Sequence, residues 1–405
     1  MRLTTHEYIS VEKWCRPVDS SELMNGKGNL VYFGPAPVEP PLTPPQFKVD
    51  TGVPDDIFAN AEQFGVNINP HTRTVCATSR PFVARLENVR VERPGFSILL
   101  DRHLVMEESY HNRYLTDVSK GWYGSHSTKR SAQFNVNFQL NAENFTSDLD
   151  VKFYIDRDND RRLDGPAILL SGASFYNYQH WLVEMLPRLW WQNLIPGLNG
   201  LPLIIHAPLL PFQIETLAAL GIGGERLLPF DGWMLQADCL YFPSYIAPGN
   251  ASIRNVSWLR ETLRPAFGSR EGTPRDLIYV SRRKAGARRL LNEDQVIAAL
   301  DARGFKTLMM EDYSVKEQID IFSNARIVVM PNGAAGTNMI FAPPGATLIE
   351  FIPTSYLQRV NWVYASHSGC RYGRLICDDT MSPQKDMAIN IEALKNIVDQ
   401  ALVGE

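Results

Sequence analysis

At 405 residues the chain is too long for one core of ordinary size, and 44% hydrophobic with 21% charged residues is a globular balance that excludes a disordered chain. A formal net charge of −4 argues against a nucleic-acid partner. No stretch reaches the roughly 18 apolar residues of a membrane span, the opening MRLTTHEYIS lacks the order of an export signal, and five scattered cysteines follow no C-x-x-C spacing, so a soluble protein of the reducing cytoplasm is expected.

Residues 1–73 read as an irregular arm, proline-dense at GPAPVEPPLTPP. From 74 to about 155 the short runs FSILLDRHLVM, SAQFNVNFQL and DVKFYI predict a β-rich region. After residue 165 strands and helices alternate: AILLSG, an apolar helix, PLIIH, a helix at 210–220, CLYFPS and a helix near 254–266. EGTP at 271–274 breaks the pattern. A second alternation follows: DLIYVS, helix 293–303, FKTLMM, helix 315–325, RIVVM, helix 334–341, TLIEF and helix 356–367. Asn292 with Gln295 and Ser314 with Glu317 both fit a capping box. The expected fold is α/β, two Rossmann-like domains facing a cleft with a β-rich N-terminal region. Its divisions are 1–73, 74–268, 269–384, and a C-terminal helix within 385–405 packing back on the first domain.

Two places carry candidate chemistry. In FYNYQHWLVEMLPRLWW, residues 175–191, His180, Glu184 and Arg188 recur every fourth position of an otherwise apolar helix, on one face. Either they form a buried ion pair serving packing, or the imidazole and carboxylate are a general base looking into a cleft. Pro187 should bend the helix beside Glu184. In the second half, RIVVM runs into PNGAAGTNMIFAPPG, whose Gly333, Ala334, Ala335 and Gly336 are small enough for a diphosphate to approach the backbone at a helix N-terminus. DLIYV ends at Ser281, Arg282 and Arg283, cations at the same sheet edge, while Lys284, Arg288 and Arg289 read as a solvated loop. Glu350 in TLIEF is placed either to accept from a ribose or to pair with an arginine of that basic run.

Three stretches, NYQHWLVEMLPRL at 177–189, YVSRRKAGARRLLNEDQVIAAL at 279–300 and PNGAAGTNMIFAPPGATLIEF at 331–351, together resemble glycosyltransferase family 61, the group of xylan-decorating, protein O-GlcNAc-adding and capsule-related enzymes. The likeness covers about residues 165–355. It implies a GT-B fold and an inverting, metal-independent transfer from a nucleotide-sugar donor, UDP-linked, to a glycan or lipid-linked acceptor in polysaccharide biosynthesis. Peripheral association with membrane-bound biosynthetic machinery is compatible with it. The resemblance implies that Arg282 faces the diphosphate, that Asn332, Gly333, Ala334, Ala335, Gly336, Thr337 and Asn338 cradle it, and that Glu350 holds the ribose. His180 and Glu184 then face the acceptor as catalytic residues, with Asn177, Tyr178 and Arg188 beside them. No cofactor or metal is expected. One departure stands out: the family commonly has His where this chain has Asn332, which carries no charge at neutral pH.

Three other readings compete. DRDND at 156–160 resembles the Asp-x-Asp of metal-dependent GT-A transferases, but its interleaved arginines suit a solvated turn. A dehydrogenase would need G-x-G-x-x-G, which is absent. A catalytically degenerate scaffold or sensor that binds a nucleotide or glycan fits the loss of His at Asn332.

Overall fold

In the computed structural model the described residues are 7–9, 11–35, 40, 42–49, 81–92, 97–100, 103–105, 134–136, 149–151, 161–172, 175–232, 234–244, 252–270, 272–380 and 384–403. The DRDND run, Cys76 and about half of the arm lie outside them. The chain divides into two units, one of residues 1–36, 71–211 and 222–248, the other of 37–70, 212–221 and 249–405.

The first unit is built on one mixed sheet of ten strands. Its parallel part runs in the order Met234–Pro243, Arg161–Leu169, Leu203–His206, Leu227–Phe230. The long strand Phe82–Glu92 joins antiparallel to Met234–Pro243, and on its other edge pair Leu30–Phe33 and the Ser97–Leu100, His103–Val105 hairpin. The expected β-rich region thus extends the α/β sheet. Phe82, Leu86, Val89, Val91, Leu169, Leu240 and Phe242 form the core on it. Alternating side chains of a half-buried strand produce that face.

The second unit is a six-stranded parallel sheet in the order Lys306–Leu308, Asp276–Val280, Ala325–Pro331, Thr347–Pro353, Arg371–Cys377, Phe47–Val49. Its first five strands follow the doubly wound order 2-1-3-4-5, which reverses direction between Asp276–Val280 and Ala325–Pro331. Ligands of such sheets bind outside the strand C-termini at that reversal. Near-continuous apolar runs such as IVV and LIEFI are what a sheet covered on both faces requires, and Ile327, Val329, Ile349 and Phe351 are fully buried.

Several sequence expectations need correction. The C-terminal helix Ile391–Val403 packs into the second unit through Leu394, Ile397, Val398 and Ala401, in one cluster with Tyr279, Leu300 and Phe351. Its apolar stripe fits the sheet face beside the Phe47 strand, which itself comes from the supposed arm. The helix Ile253–Ala266 also belongs to the second unit, where Arg264 donates to Phe341 O. Ser314 and Glu317 do form a capping box, whereas Asn292 instead exchanges hydrogen bonds with Ile389, donating to its carbonyl at 2.8 Å and accepting from its N–H at 3.0 Å.

Candidate functional site

The apolar helix of the first unit follows strand Arg161–Leu169, next to the point where the parallel strand order reverses between that strand and Met234–Pro243. Asn177 caps it, its side-chain oxygen accepting from Gln179 N at 2.9 Å and His180 N at 3.4 Å. One α-turn, Tyr178–His180, leads into a π-helical turn over Trp181–Met185, then a 3-10 stretch over Leu186–Asn193. The change of helix type, rather than a bend in a continuous α-helix, accommodates Pro187. It puts the ring in the first turn of a new segment, where a missing N–H is harmless. Burying Trp181 and Trp191 completely stabilises this irregular backbone: each ring removes roughly 150–250 Å² from water, about 4–6 kcal/mol at ~25 cal/mol per Å².

His180 and Glu184 lie side by side, at ion-pair distance but without a hydrogen bond of good geometry. Nδ1 of His180 lies 2.8 Å from Glu184 Oε2, with the imidazole 21% exposed and the carboxylate 9%. A π-turn beside such a pair is a feature enriched at functional sites. Arg188 is buried and donates to the carbonyls of Leu169 at 3.2 Å and Ser171 at 3.4 Å, with its guanidinium 5.5 Å from the Phe242 ring centroid. It therefore pins the helix to the end of the strand. Tyr178 is half-buried on the first turn.

In the second unit the loops after Asp276–Val280 and Ala325–Pro331 meet at the order reversal. Arg282 Nε and Nη2 donate to Ala287 O at 3.3 and 3.0 Å, folding the basic loop back on itself. Its remaining Nη1 lies against Gly333, where a Cβ would stand 1.9 Å away. Gly333 is extended, at φ 176° and ψ 172°, so space and not backbone conformation demands glycine there. Arg288 donates through Nε to Asn332 O at 3.0 Å. Among the described residues neither Arg282 nor Arg288 has a carboxylate at ion-pair distance, while around them Lys284 pairs with Asp312, Arg283 with Glu293 and Asp294, and Arg289 with Asp386. Burial, reinforced by the neighbouring Arg288, brings the Arg282 guanidinium down to about 10. Arg288 is thus turned in on the glycine-rich turn rather than solvated, which the run SRRKAGARR alone could not reveal.

The donor-side candidates separate into two groups. Gly333 touches Arg282, and Ala334 and Ala335 open the 3-10 segment Ala334–Phe341 on its partly exposed side. The others turn inward. Gly336 packs on the amide of Asn361, Thr337 is buried, and Asn338 donates to Gln318 at 2.8 Å. Glu350 is fully buried and accepts from three donors, Asn332 Nδ2 and Asn361 Nδ2 at 2.7 Å and Tyr372 Oη at 2.8 Å. Its partners are amides and a phenol, not an arginine of the basic run. Burial pushes its carboxyl up, against the pull of those bonds. The structure thus joins Asn332 and Glu350 beneath the turn and sets Arg282 and Arg288 above it.

Residues 178–349, which hold the π-turn, the arginine loop and the glycine-rich turn, match the sequence profile of Glycosyltransferase 61. This segment is similar to that family. Within 105 residues the chain is 30% identical to the beta-1,2-xylosyltransferase XAX1 of Oryza sativa subsp. japonica, a match covering 26% of this chain and 18% of that protein. The chain thus spans less than a fifth of that curated relative. Among solved structures, rubredoxin oxygen:oxidoreductase from Desulfovibrio gigas aligns over 46% of this chain and 45% of its own at 13% identity. The TM-score is 0.23, too low to carry an argument. Around Glu350, Asn361 and Tyr372 are the residues that sequence reasoning missed, since the family match ends at residue 349. Both lie beyond its end and reach Glu350 only through the fold.

Proposed function

We propose that the protein is an inverting, metal-independent glycosyltransferase of GT-B type that moves a sugar from a nucleoside diphosphate donor to a glycan or lipid-linked acceptor in polysaccharide biosynthesis. The observation that carries this reading is the pair Arg282 and Arg288, free of carboxylate partners among the described residues and set on Gly333 and Asn332 at the strand-order reversal. Two guanidiniums on small-residue backbone are a receptor for a diphosphate, which each can grip with parallel hydrogen bonds. The family 61 match supports the same class. A UDP-linked donor and a cytoplasmic setting belong to the proposal through that family likeness.

In the proposed reaction the acceptor hydroxyl attacks the anomeric carbon as the bond from that carbon to the diphosphate oxygen breaks. The hydroxyl proton passes to the first unit's base. With Nδ1 facing Glu184, His180 keeps Nε2 for that proton, and the less exposed Glu184 orients the ring and stabilises the imidazolium. The departing nucleoside diphosphate leaves its charge against Arg282 and Arg288. The lack of charge at Asn332 is compatible with the reading, because its side chain donates to Glu350.

The test is a thermal-shift titration with UDP, GDP, CDP and dTDP, with and without EDTA, followed by product analysis with the matching sugar nucleotides. Saturation at about 100 times Kd adds about 2.7 kcal/mol. A shift with one diphosphate that survives EDTA, with sugar transfer of inverted configuration, is expected. Binding without turnover would replace the enzyme by a nucleotide-binding scaffold, and a shift abolished by EDTA would sink the metal-independent reading.

A further inference from the structure

In the first unit, strands Arg161–Leu169 and Leu203–His206 end side by side, and a polar pair stands at their ends. Ser171 and His206 are both fully buried. The Ser171 hydroxyl accepts from His206 N–H at 2.9 Å and has its own hydrogen left for Nδ1 of the imidazole, 3.1 Å away. The strands do not need this bridge in order to pair, since backbone bonds such as Leu170 N–H to Ile204 O, at 3.1 Å, already join them to their ends. What the pair adds is a rigid polar platform beyond the sheet.

The helical segment that follows is tied to that platform at both ends. At its start, Phe175 lies flat on the His206 ring, with centroids 3.8 Å and planes 25° apart, and its N–H closes a turn onto Gly172 O at 3.2 Å. Towards its far end, Arg188 donates to Ser171 O at 3.4 Å. Between the two ties lie the π-turn Trp181–Met185 and the His180–Glu184 pair. A π-turn is a rare conformation met mostly as a single turn inside another helix, so its persistence here depends on how firmly its flanks are fixed. A slip at either tie would turn the imidazole and the carboxylate away together.

We propose that Ser171 and His206 are positioning residues for sugar transfer, fixing both flanks of the segment that presents His180 and Glu184 to the acceptor. The proposal rests on the transferase reading above and adds two residues that, being fully buried, touch neither substrate. Reacting groups have to be held within about 0.5 Å of their productive geometry, and side chains locked by buried hydrogen bonds and packing do this best. A hydroxyl and an imidazole that serve one helix at two points meet that requirement.

The test compares the wild type with Ser171→Ala and His206→Asn, well below their melting points. Turnover is followed as nucleoside diphosphate released from UDP-xylose, UDP-glucose, GDP-mannose and dTDP-rhamnose, and amide exchange is followed over residues 176–193 and over 325–351. In both variants kcat should fall about 10- to 100-fold, the cost of a small misplacement, with donor KM and UDP affinity unchanged. Exchange over 176–193 should quicken about tenfold or more while 325–351 keeps its protection. Should His206→Asn fail to fold, the milder Ser171→Ala decides alone. Wild-type kcat in a folded variant, or exchange that quickens equally in both regions, would overturn the positioning role and leave the transferase reading standing. A wild-type protein that releases none of these diphosphates would overturn both, a result read before any variant is made.

Discussion

The side-chain amide of Asn332 donates to Glu350 Oε1 at 2.7 Å, tying the start of the glycine-rich turn to a carboxylate in the neighbouring strand. Asn361 and Tyr372 complete the set, so one buried carboxylate holds three elements in register. Replacing Glu350 by Ala removes a shared acceptor from three donors, of which Asn361 Nδ2 keeps the carbonyl of Gly333 at 3.2 Å, and each buried group left unsatisfied costs about 1–3 kcal/mol. We expect a loss of about 3 kcal/mol or more in urea unfolding, with nucleotide affinity falling as the turn loosens.

Glu350 also gives stability a pH dependence of defined sign. Burial raises its proton affinity in the folded chain above that in the unfolded chain. Between the ordinary carboxylate value and the raised one, the folded state binds more protons, so this contribution makes stability fall as pH rises through that window. Below the window the penalty vanishes, and above it the penalty is complete. Glu350→Gln should remove this slope from a pH series of unfolding midpoints, and a slope unchanged in the variant would show that other groups produce it.

Asp386 should act in the opposite direction. Hydrogen bonds from Arg289 hold its carboxyl below the usual range, so its contribution is present above the ordinary carboxylate value and lost as pH falls through the depressed one. Asp386→Asn should lower the unfolding midpoint at neutral pH and remove this part of the acid dependence, because Arg289 loses its charged partner. Amide exchange at Arg289 and Met387, whose backbones pair at 3.0 Å, should quicken first.

Gly333→Ala separates binding from folding. The new methyl would stand 1.9 Å from Arg282 Nη1, the end of a flexible side chain, on a backbone any residue can adopt. The guanidinium has to swing away. Unfolding should change by less than about 1 kcal/mol, as for substitutions that avoid core and strain, while UDP binding measured by calorimetry should weaken roughly tenfold, the scale of one lost charged contact.

Glu184→Gln and His180→Ala test the base. If the pair acts in proton transfer, turnover should fall by about 10²–10⁴, with UDP affinity intact because the second unit is untouched. Native turnover in both folded variants would remove the pair from the mechanism. Unfolding of both would assign it to packing.

What the sequence revealed depended on how locally each feature is encoded. Ser314 and Glu317 were readable because a capping box closes within four residues. The strands around Ile278, Val328 and Ile349 were readable because burial on both faces leaves no room for polar residues. Asn292 misled because its partner, Ile389, is 97 positions away. The π-turn at Trp181–Met185 has no composition of its own, since tertiary burial of the tryptophans selects it. Arg288 and Lys385 look like ordinary surface cations in sequence, and only their left-handed backbones and the Tyr356 ring they share set them apart.

The strand Phe47–Val49 gives the second unit an unusual assembly history. Its partner is Arg371–Cys377, with Gln46 and Tyr372 exchanging backbone and side-chain bonds at 2.9 Å and Trp362 Nε1 donating to Thr43 O at 2.7 Å. A chain made from its N-terminus must keep this early segment waiting through more than three hundred residues of synthesis before its mate exists. Closing so long a loop is slow, and until then Arg371–Cys377 presents an open edge to any passing strand. Fragments that start after Val49 should therefore inherit a sticky border, and supplying the missing stretch as a free peptide is a direct way to seal it.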